Sequence, residues 1–349
     1  MLKSIIEKFP PAYFAFVMAT GIISLAAHAQ HISWLAESFF YLNLLLYPLF
    51  LLLLAARVLL FASAVKAELA SHEQGPNFLA LVAATCIVGN QFLQLHGNQV
   101  LGLVLWGFGA LCWLLLLYWF LLSMTLRHDK PNLEAGFGAN WLLLTVSTQA
   151  LAVLGAGLIP KLAVPTDVGV FLVLCLFLLG SLFYVVLSTL LFYRLTFKQI
   201  DAQKVSPPYW IVIGGSAITV MAGATLLGSL PHSSALADTT GFVKAWSVLF
   251  WVISTWWIPF VMILRGWHQL HAKPAFSYQP ASWSMVFPLG MYAASTGRLA
   301  DALPLPALHT ISSSFIWLAL LAWGLTLVGM LVHYFASNQS NQSSSPART

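Results

Sequence analysis

The chain has 349 residues, of which 60% are hydrophobic and only 7% charged. Globular chains carry about 25% charged residues, so this one lacks the polar surface that soluble domains of this length would need. Its formal charge of +5 is spread between apolar runs, which excludes a nucleic-acid-binding patch and leaves an all-α integral membrane protein.

A helix needs about 20 apolar residues to cross a bilayer. Punctuation by Pro, Gly and charge marks ten such runs, at 10–29, 34–56, 77–96, 99–124, 140–160, 167–193, 208–230, 244–264, 280–300 and 308–335. The chain thus divides into an N-terminus 1–8, a transmembrane domain 9–335 and a tail 336–349. The first run continues without a small-residue cleavage site, so it reads as a span and not a signal peptide. The tail is rich in Ser, Asn and Gln, and that composition predicts disorder.

The basic residues orient the spans. Lys3, Lys8, Arg57, Lys66, Arg127, Lys130, Arg194, Lys198, Lys204, Arg265, Lys273 and Arg348 fall at the termini and after even spans, against Lys161, Lys244 and Arg298 on the other side. The twelve-to-three division puts both termini in the cytoplasm and requires an even number of spans. The tail sequons at Asn338 and Asn341 then never meet the glycosylation machinery. Short links after spans one, three, five and nine organise the chain as five helical hairpins.

Taken in order, the spans alternate in character. Span one carries Ala19-Thr20-Gly21, span three Ala83-Ala84-Thr85 and Gly89, and span five Thr145, Ser147, Thr148, Gln149, Gly155 and Gly157. Span seven has Gly214-Gly215-Ser216, Thr219 and Gly223, and span nine has Ser282, Ser284, Gly290, Ser295 and Thr296. The even spans are leucine-dense, as at Leu51 to Leu54, Leu114 to Leu117 and Leu176 to Leu179. Small and hydroxyl residues in membrane helices ordinarily serve close packing. Their shared presence in all five odd spans predicts more: an inner ring of odd helices around a small-residue path, wrapped by lipid-facing even helices.

Several odd spans open with Pro or Asn: Pro10-Pro11, Pro76-Asn77, Asn140, Pro207-Pro208 and Pro280. Proline suits a first helical turn, and each helix start carries about half a positive charge. Five starts at one mouth attract anions there, while the other mouth collects the negative ends. All ten acidic residues lie in loops, tails or span ends. Cation paths and proton-coupled pumps place an acid at mid-membrane depth, so the pattern disfavours both. A neutral path lined by Met18, Gly21, Thr85, Thr148, Gly215, Ser216, Thr219 and Gly290 would suit rapid passage of small anions better than tight binding.

His28, His31, His96, His232 and His309 read as interfacial polar residues, and no zinc-type spacing occurs. Cys86, Cys112 and Cys175 sit in apolar runs without paired spacing, as inert thiols. Tryptophans near span ends, such as Trp34, Trp141, Trp210 and Trp267, fit aromatic belts. Neither a metal, a cofactor nor a nucleophile with its base is legible within the spans, so the chain does not read as an enzyme.

Three segments carry a family resemblance. Span one reads Phe9-Pro10-Pro11-Ala12-Tyr13-Phe14-Ala15-Phe16-Val17-Met18-Ala19-Thr20-Gly21-Ile22. Span seven opens Pro207-Pro208-Tyr209-Trp210 and continues through Gly214 to Ala217, and span nine reads Trp283-Ser284-Met285-Val286-Phe287-Pro288-Leu289-Gly290. These resemble the tellurite-resistance and dicarboxylate transporter family, which includes the slow-type anion channels. The resemblance implies ten helices in five hairpins around a central pore, a homotrimer in the plasma (inner) membrane, and a pore gate at Phe287 beside Pro288. It also implies transport of small anions: C4-dicarboxylates, tellurite, sulfite, nitrate or chloride. Independently, Pro288 removes a helix hydrogen bond and clashes with the carbonyl of Ser284, and a kink beside an aromatic ring is a sensible constriction. A proton-coupled C4-dicarboxylate carrier is the alternative, and a membrane-embedded enzyme a more distant one.

Overall fold

The computed structural model describes residues 2–161, 164–199, 207–272 and 278–343, and among these every regular element is helical. Lys204, Lys273 and Arg348, three of the twelve residues counted for orientation, lie outside the described residues. Ten long helices dominate. They are α1 (Phe14–Ala29), α2 (Ser33–Leu60), α3 (Ala80–His96), α4 (Gln99–Leu126) and α5 (Leu143–Leu158). They continue with α6 (Thr166–Phe197), α7 (Ile211–Leu226), α8 (Thr240–Ala272), α9 (Trp283–Ala302) and α10 (Ala307–Ser343).

Nine of these, with their flanking turns, are long and apolar enough to cross a membrane among the described residues. The exception is α9, which carries Ser284, Ser295, Thr296, Arg298 and Asp301. Its 20 residues suffice in length, at about 1.5 Å of rise each. It sits between α7 and α1, with α10 laid along it. A helix sheltered in that way has little contact with lipid and can carry polar residues.

The odd helices form a closed ring, in which α1 packs on α3, α3 on α5, α5 on α7, α7 on α9 and α9 back on α1. The apolar stretches of α1, α3, α5 and α7 are 72–89% buried, those of the even helices only 22–44%. Each even helix packs on the odd helix preceding it and more lightly on the one that follows, with α10 closing onto α1. The leucine-dense faces of the even helices are exposed, as at Leu45, Leu52, Leu115 and Leu182. In water this would be an aggregating surface; in a bilayer it is the solvated one.

Tight links join α1 to α2 and α3 to α4. His31 (φ 59°) turns the first and Gly97 (φ 61°) the second, both in the left-handed region, which glycine enters without steric cost. Asn98 then starts α4, its side chain accepting from the Leu101 amide at 3.0 Å, a helix N-cap.

At the chain's end α10 continues to Ser343, past position 335 and into the segment predicted to be disordered. Nothing in Ala336 to Ser343 stops a helix, since the first proline after it is Pro346. Residues 344–349 lie outside the described residues.

Candidate functional site: a central passage through the inner ring

Three cavities are stacked inside the ring, and all five odd helices, or the turns that open them, line each one. At the N-terminal mouth a cavity of about 670 Å³ is bounded by Pro10, Asn77, Asn140, Pro208 and Pro280, with Glu73, Glu134 and Arg194 at its rim. A middle cavity of about 40 Å³ follows, sharing Ala12, Asn77, Pro208 and Ala281 with the first and ending at Met18, Val146, Ile211 and Phe287. At the C-terminal mouth a cavity of about 480 Å³ begins at Ile22, Ile87, Ala150, Ile218 and Met291. It widens to His28, Gln94, Gly157, Thr225, Arg298 and Asp301.

The middle and C-terminal cavities share no lining residue. On α1 the break falls between Met18 and Ile22, and on α9 between Phe287 and Met291, one helical turn apart in each case. Phe287 is only 3% exposed and stands at the closed end of the middle cavity. Its ring lies against Gly214 of α7: a Cβ added there would sit 3.2 Å from Phe287 Cε1 and 3.1 Å from Pro288 Cγ. A glycine in α7 therefore makes room for both the ring and the kinking proline of α9.

The lining stripe is mostly alanine, valine, isoleucine and methionine, with Ser284 and Thr225 its hydroxyls. Three hydroxyls predicted to line the path are engaged elsewhere. Thr85 meets Tyr47 of α2 at 2.8 Å, Thr148 accepts from Trp113 of α4 at 2.9 Å, and Ser216 accepts from Ser254 of α8 at 2.7 Å. Each also donates back to a carbonyl one turn earlier, those of Leu81, Leu144 and Val212. A hydroxyl has one proton and two lone pairs, and at this depth the N–H or O–H of an outer helix supplies what water would. Thr219 is buried and donates to the Gly215 carbonyl of its own helix.

The expected glycines face neighbours too. A Cβ at Gly21 would clash with Ile87 and meet Asn43 at 2.8 Å, one at Gly215 would meet Tyr184 at 3.1 Å, and one at Gly290 would meet Ile22 at 2.7 Å. They are close-approach points between helices. Of the ten site residues read from sequence, Met18 and Phe287 line the middle cavity, and Pro288 backs onto Gly214.

These contacts belong to a pattern that runs round the ring. Each outer helix hydrogen-bonds the inner helix that follows it, the last closing onto the first. Tyr47 of α2 reaches Thr85 of α3, and Trp113 of α4 reaches Thr148 of α5. Tyr184 of α6 donates to the Val212 carbonyl of α7 at 3.0 Å, and Trp251 of α8 to Thr296 of α9 at 3.0 Å. Trp323 of α10 closes the circle on Thr20 of α1 at 3.0 Å. Each such bond inside a membrane is worth about 0.6–2 kcal/mol, and five set every inner helix against an outer one.

No carboxylate lines the middle cavity, and no group of three or more His, Cys, Asp or Glu among the described residues is placed to hold a metal. The charges stand at the mouths: Arg194, whose guanidinium donates to the Phe137 carbonyl, at one, and Arg298 with Asp301 at the other. Sequence reading used both arginines only as orientation markers. For Arg298 helical register with the lining stripe was the signal available, since it lies at four- and three-residue steps beyond Phe287, Met291 and Ala294.

The family model described as voltage-dependent anion channel (SLAC1) matches residues 8–331. An uncharacterized transporter of Methanocaldococcus jannaschii is 25% identical over 340 residues, covering 93% of each chain. An uncharacterized membrane protein of Mycobacterium tuberculosis is 37% identical over 163 residues, 46% of this chain and 82% of the relative.

Proposed function

The chain belongs to the voltage-dependent anion channel family, and from that premise we propose that it conducts small anions through the inner ring with Phe287 as the gate. Membership makes it an anion channel or transporter. The finer reading is a channel or facilitative transporter for anions such as C4-dicarboxylates, tellurite, sulfite, nitrate or chloride. It lies in the plasma (inner) membrane with ten spans in five hairpins, both termini cytoplasmic, as a homotrimer. The N-terminal mouth is then the cytoplasmic one.

One observation carries this reading: a passage contributed by all five inner helices, with no charged residue lining its middle cavity, interrupted over a single turn at Phe287. An apolar closure blocks anions because it offers nothing to replace their hydration shell. The cavities on either side reach that turn from both mouths, and the Phe287 ring stands at the end of one of them. In the closed state the passage costs the fold little, because Phe287 fills the space that Gly214 leaves.

The test is flux from liposomes holding the full chain, with a panel of the anions named above. Uptake that follows the imposed voltage, with pH equal on both sides, supports the reading. Uptake that needs a proton gradient would replace it with a proton-coupled carrier. An absence of flux for the whole panel would remove it.

A further inference from the structure

We propose that Arg298 makes the C-terminal cavity a docking site for small anions, favouring planar oxyanions over spherical halides. The inference rests on the reading of the ring as an anion path and names a recognition residue for it. Among the described residues lining that cavity, Arg298 alone carries a fixed positive charge. Its side chain is exposed, and no ion pair engages it among the described residues. Asp301 faces the same cavity one turn on, but its Oδ1 lies 3.3 Å from His309 Nε2. The guanidinium instead reaches toward the end of α7, one Nη lying 3.9 Å from where a Cβ on Gly228 would stand.

The electrostatics of this mouth give that charge a task. The inner helices all end here, each end carrying about half a negative charge, and Asp301 adds a full one. An anion would meet a repulsive rim unless a cation offset it. Arg298 is placed to do so, four residues beyond Ala294 and seven beyond Met291 on the face that lines the cavity. A guanidinium binds two coplanar oxygens with parallel N–H bonds, whereas chloride offers it one point of contact. The α3 wall adds donors. The Asn90 amide donates to the Cys86 carbonyl at 3.0 Å and the Gln94 amide to Asn90 Oδ1 at 3.3 Å, and each amide nitrogen keeps a second N–H. At about 480 Å³ the cavity holds a small anion together with part of its water shell.

The test uses the full chain in planar bilayers, with nitrate or chloride varied on one side at a time. Arg298→Gln should raise the half-saturating nitrate concentration at the C-terminal mouth about two- to fivefold, the range for an exposed charge pair. The value at the opposite mouth should not move. Arg298→Lys keeps the charge and removes the fork, so chloride should bind as before while the preference for nitrate is lost. A second readout needs no conduction. In detergent, nitrate should raise the unfolding midpoint of the unaltered chain more than chloride does at equal ionic strength, and Arg298→Gln should erase that difference. If half-saturation and nitrate response both persist in folded Arg298→Gln, or if it only lowers the midpoint equally in both salts, the proposal is overturned and Arg298 merely supports α7. If no variant passes any anion yet nitrate stabilisation still depends on Arg298, docking stands and the conduction reading falls.

Discussion

Phe287 of α9 rests on Gly214 of α7, where a methyl group would come within 3.2 Å of the ring and 3.1 Å of Pro288. The packing at this point therefore depends on a missing side chain as much as on a present one, and under the proposed gate it is what closes the passage. Phe287→Ala removes the ring and leaves Pro288 to hold the kink. Truncating a buried phenylalanine costs about 3–5 kcal/mol, so protein level and unfolding midpoint are measured alongside. The expected result is a severalfold larger anion conductance from folded protein. An unchanged current from a well-folded variant would place the constriction on another residue.

The partner side of that contact gives a separate handle. Gly214→Val adds an isopropyl group to a space already filled by Phe287 and Pro288, and overpacking costs about 1–3 kcal/mol. The ring is the movable member of the contact, because its neighbours toward the middle cavity leave about 40 Å³ open. Gly214→Val should raise the resting conductance, by less than Phe287→Ala does. Combining the two should give no more conductance than Phe287→Ala alone. Additive effects in the double variant would show that the two residues do not act at one point.

The architecture was legible because a bilayer leaves few choices. Apolar length marked the long helices, and the alternation of leucine-rich with small-residue spans separated the outer population from the inner. Phe287, Pro288 and Met18 stood out as strings in spans nine and one. The hydroxyl-bearing face of the inner helices was harder to place. Helical spacing says that Thr145 and Thr148 share a face, but not which neighbour that face meets. The missing information sat on other helices, in Trp113, Trp251 and Trp323, which lie well inside their spans and not at the ends where aromatic belts belong. A buried indole N–H needs an acceptor, and the threonines of the adjoining inner helices supply it.

That relocation is directly measurable. In a background with Cys86, Cys112 and Cys175 replaced, Thr148→Cys should resist small charged thiol reagents, because its site faces Trp113. Ala281→Cys at the N-terminal mouth and Ala294→Cys at the C-terminal one should react, since both positions line cavities. Fast modification of Thr148→Cys would return that residue to the path. Thr148→Val should separately cost about 1–3 kcal/mol, the range for leaving a buried donor such as the Trp113 N–H unpaired, with conductance per folded molecule unchanged.

The remaining prediction concerns the end of α2 at the N-terminal mouth. Arg57 is 4% exposed, and its guanidinium donates to both carboxylate oxygens of Glu68 and to the carbonyl of Glu7. This ties α2 to the following helix Ala62–Leu69 and to the short N-terminal helix Leu2–Glu7. Removing one partner of such a pair differs from removing the other. Glu68→Ala leaves the buried guanidinium without its anion, and an uncompensated buried charge costs about 3–5 kcal/mol. The Glu68 side chain is 35% exposed, which lets water repay part of that, so the lower end of the range applies. Arg57→Met replaces the charge with an apolar chain of similar length and leaves Glu68 to be solvated at its open side. It should therefore cost less than Glu68→Ala, even though it deletes more hydrogen bonds. Unfolding midpoints in detergent decide the order. A larger loss in Arg57→Met would mean that the bond to the Glu7 carbonyl, and with it the docking of the N-terminal helix, contributes more than the ion pair.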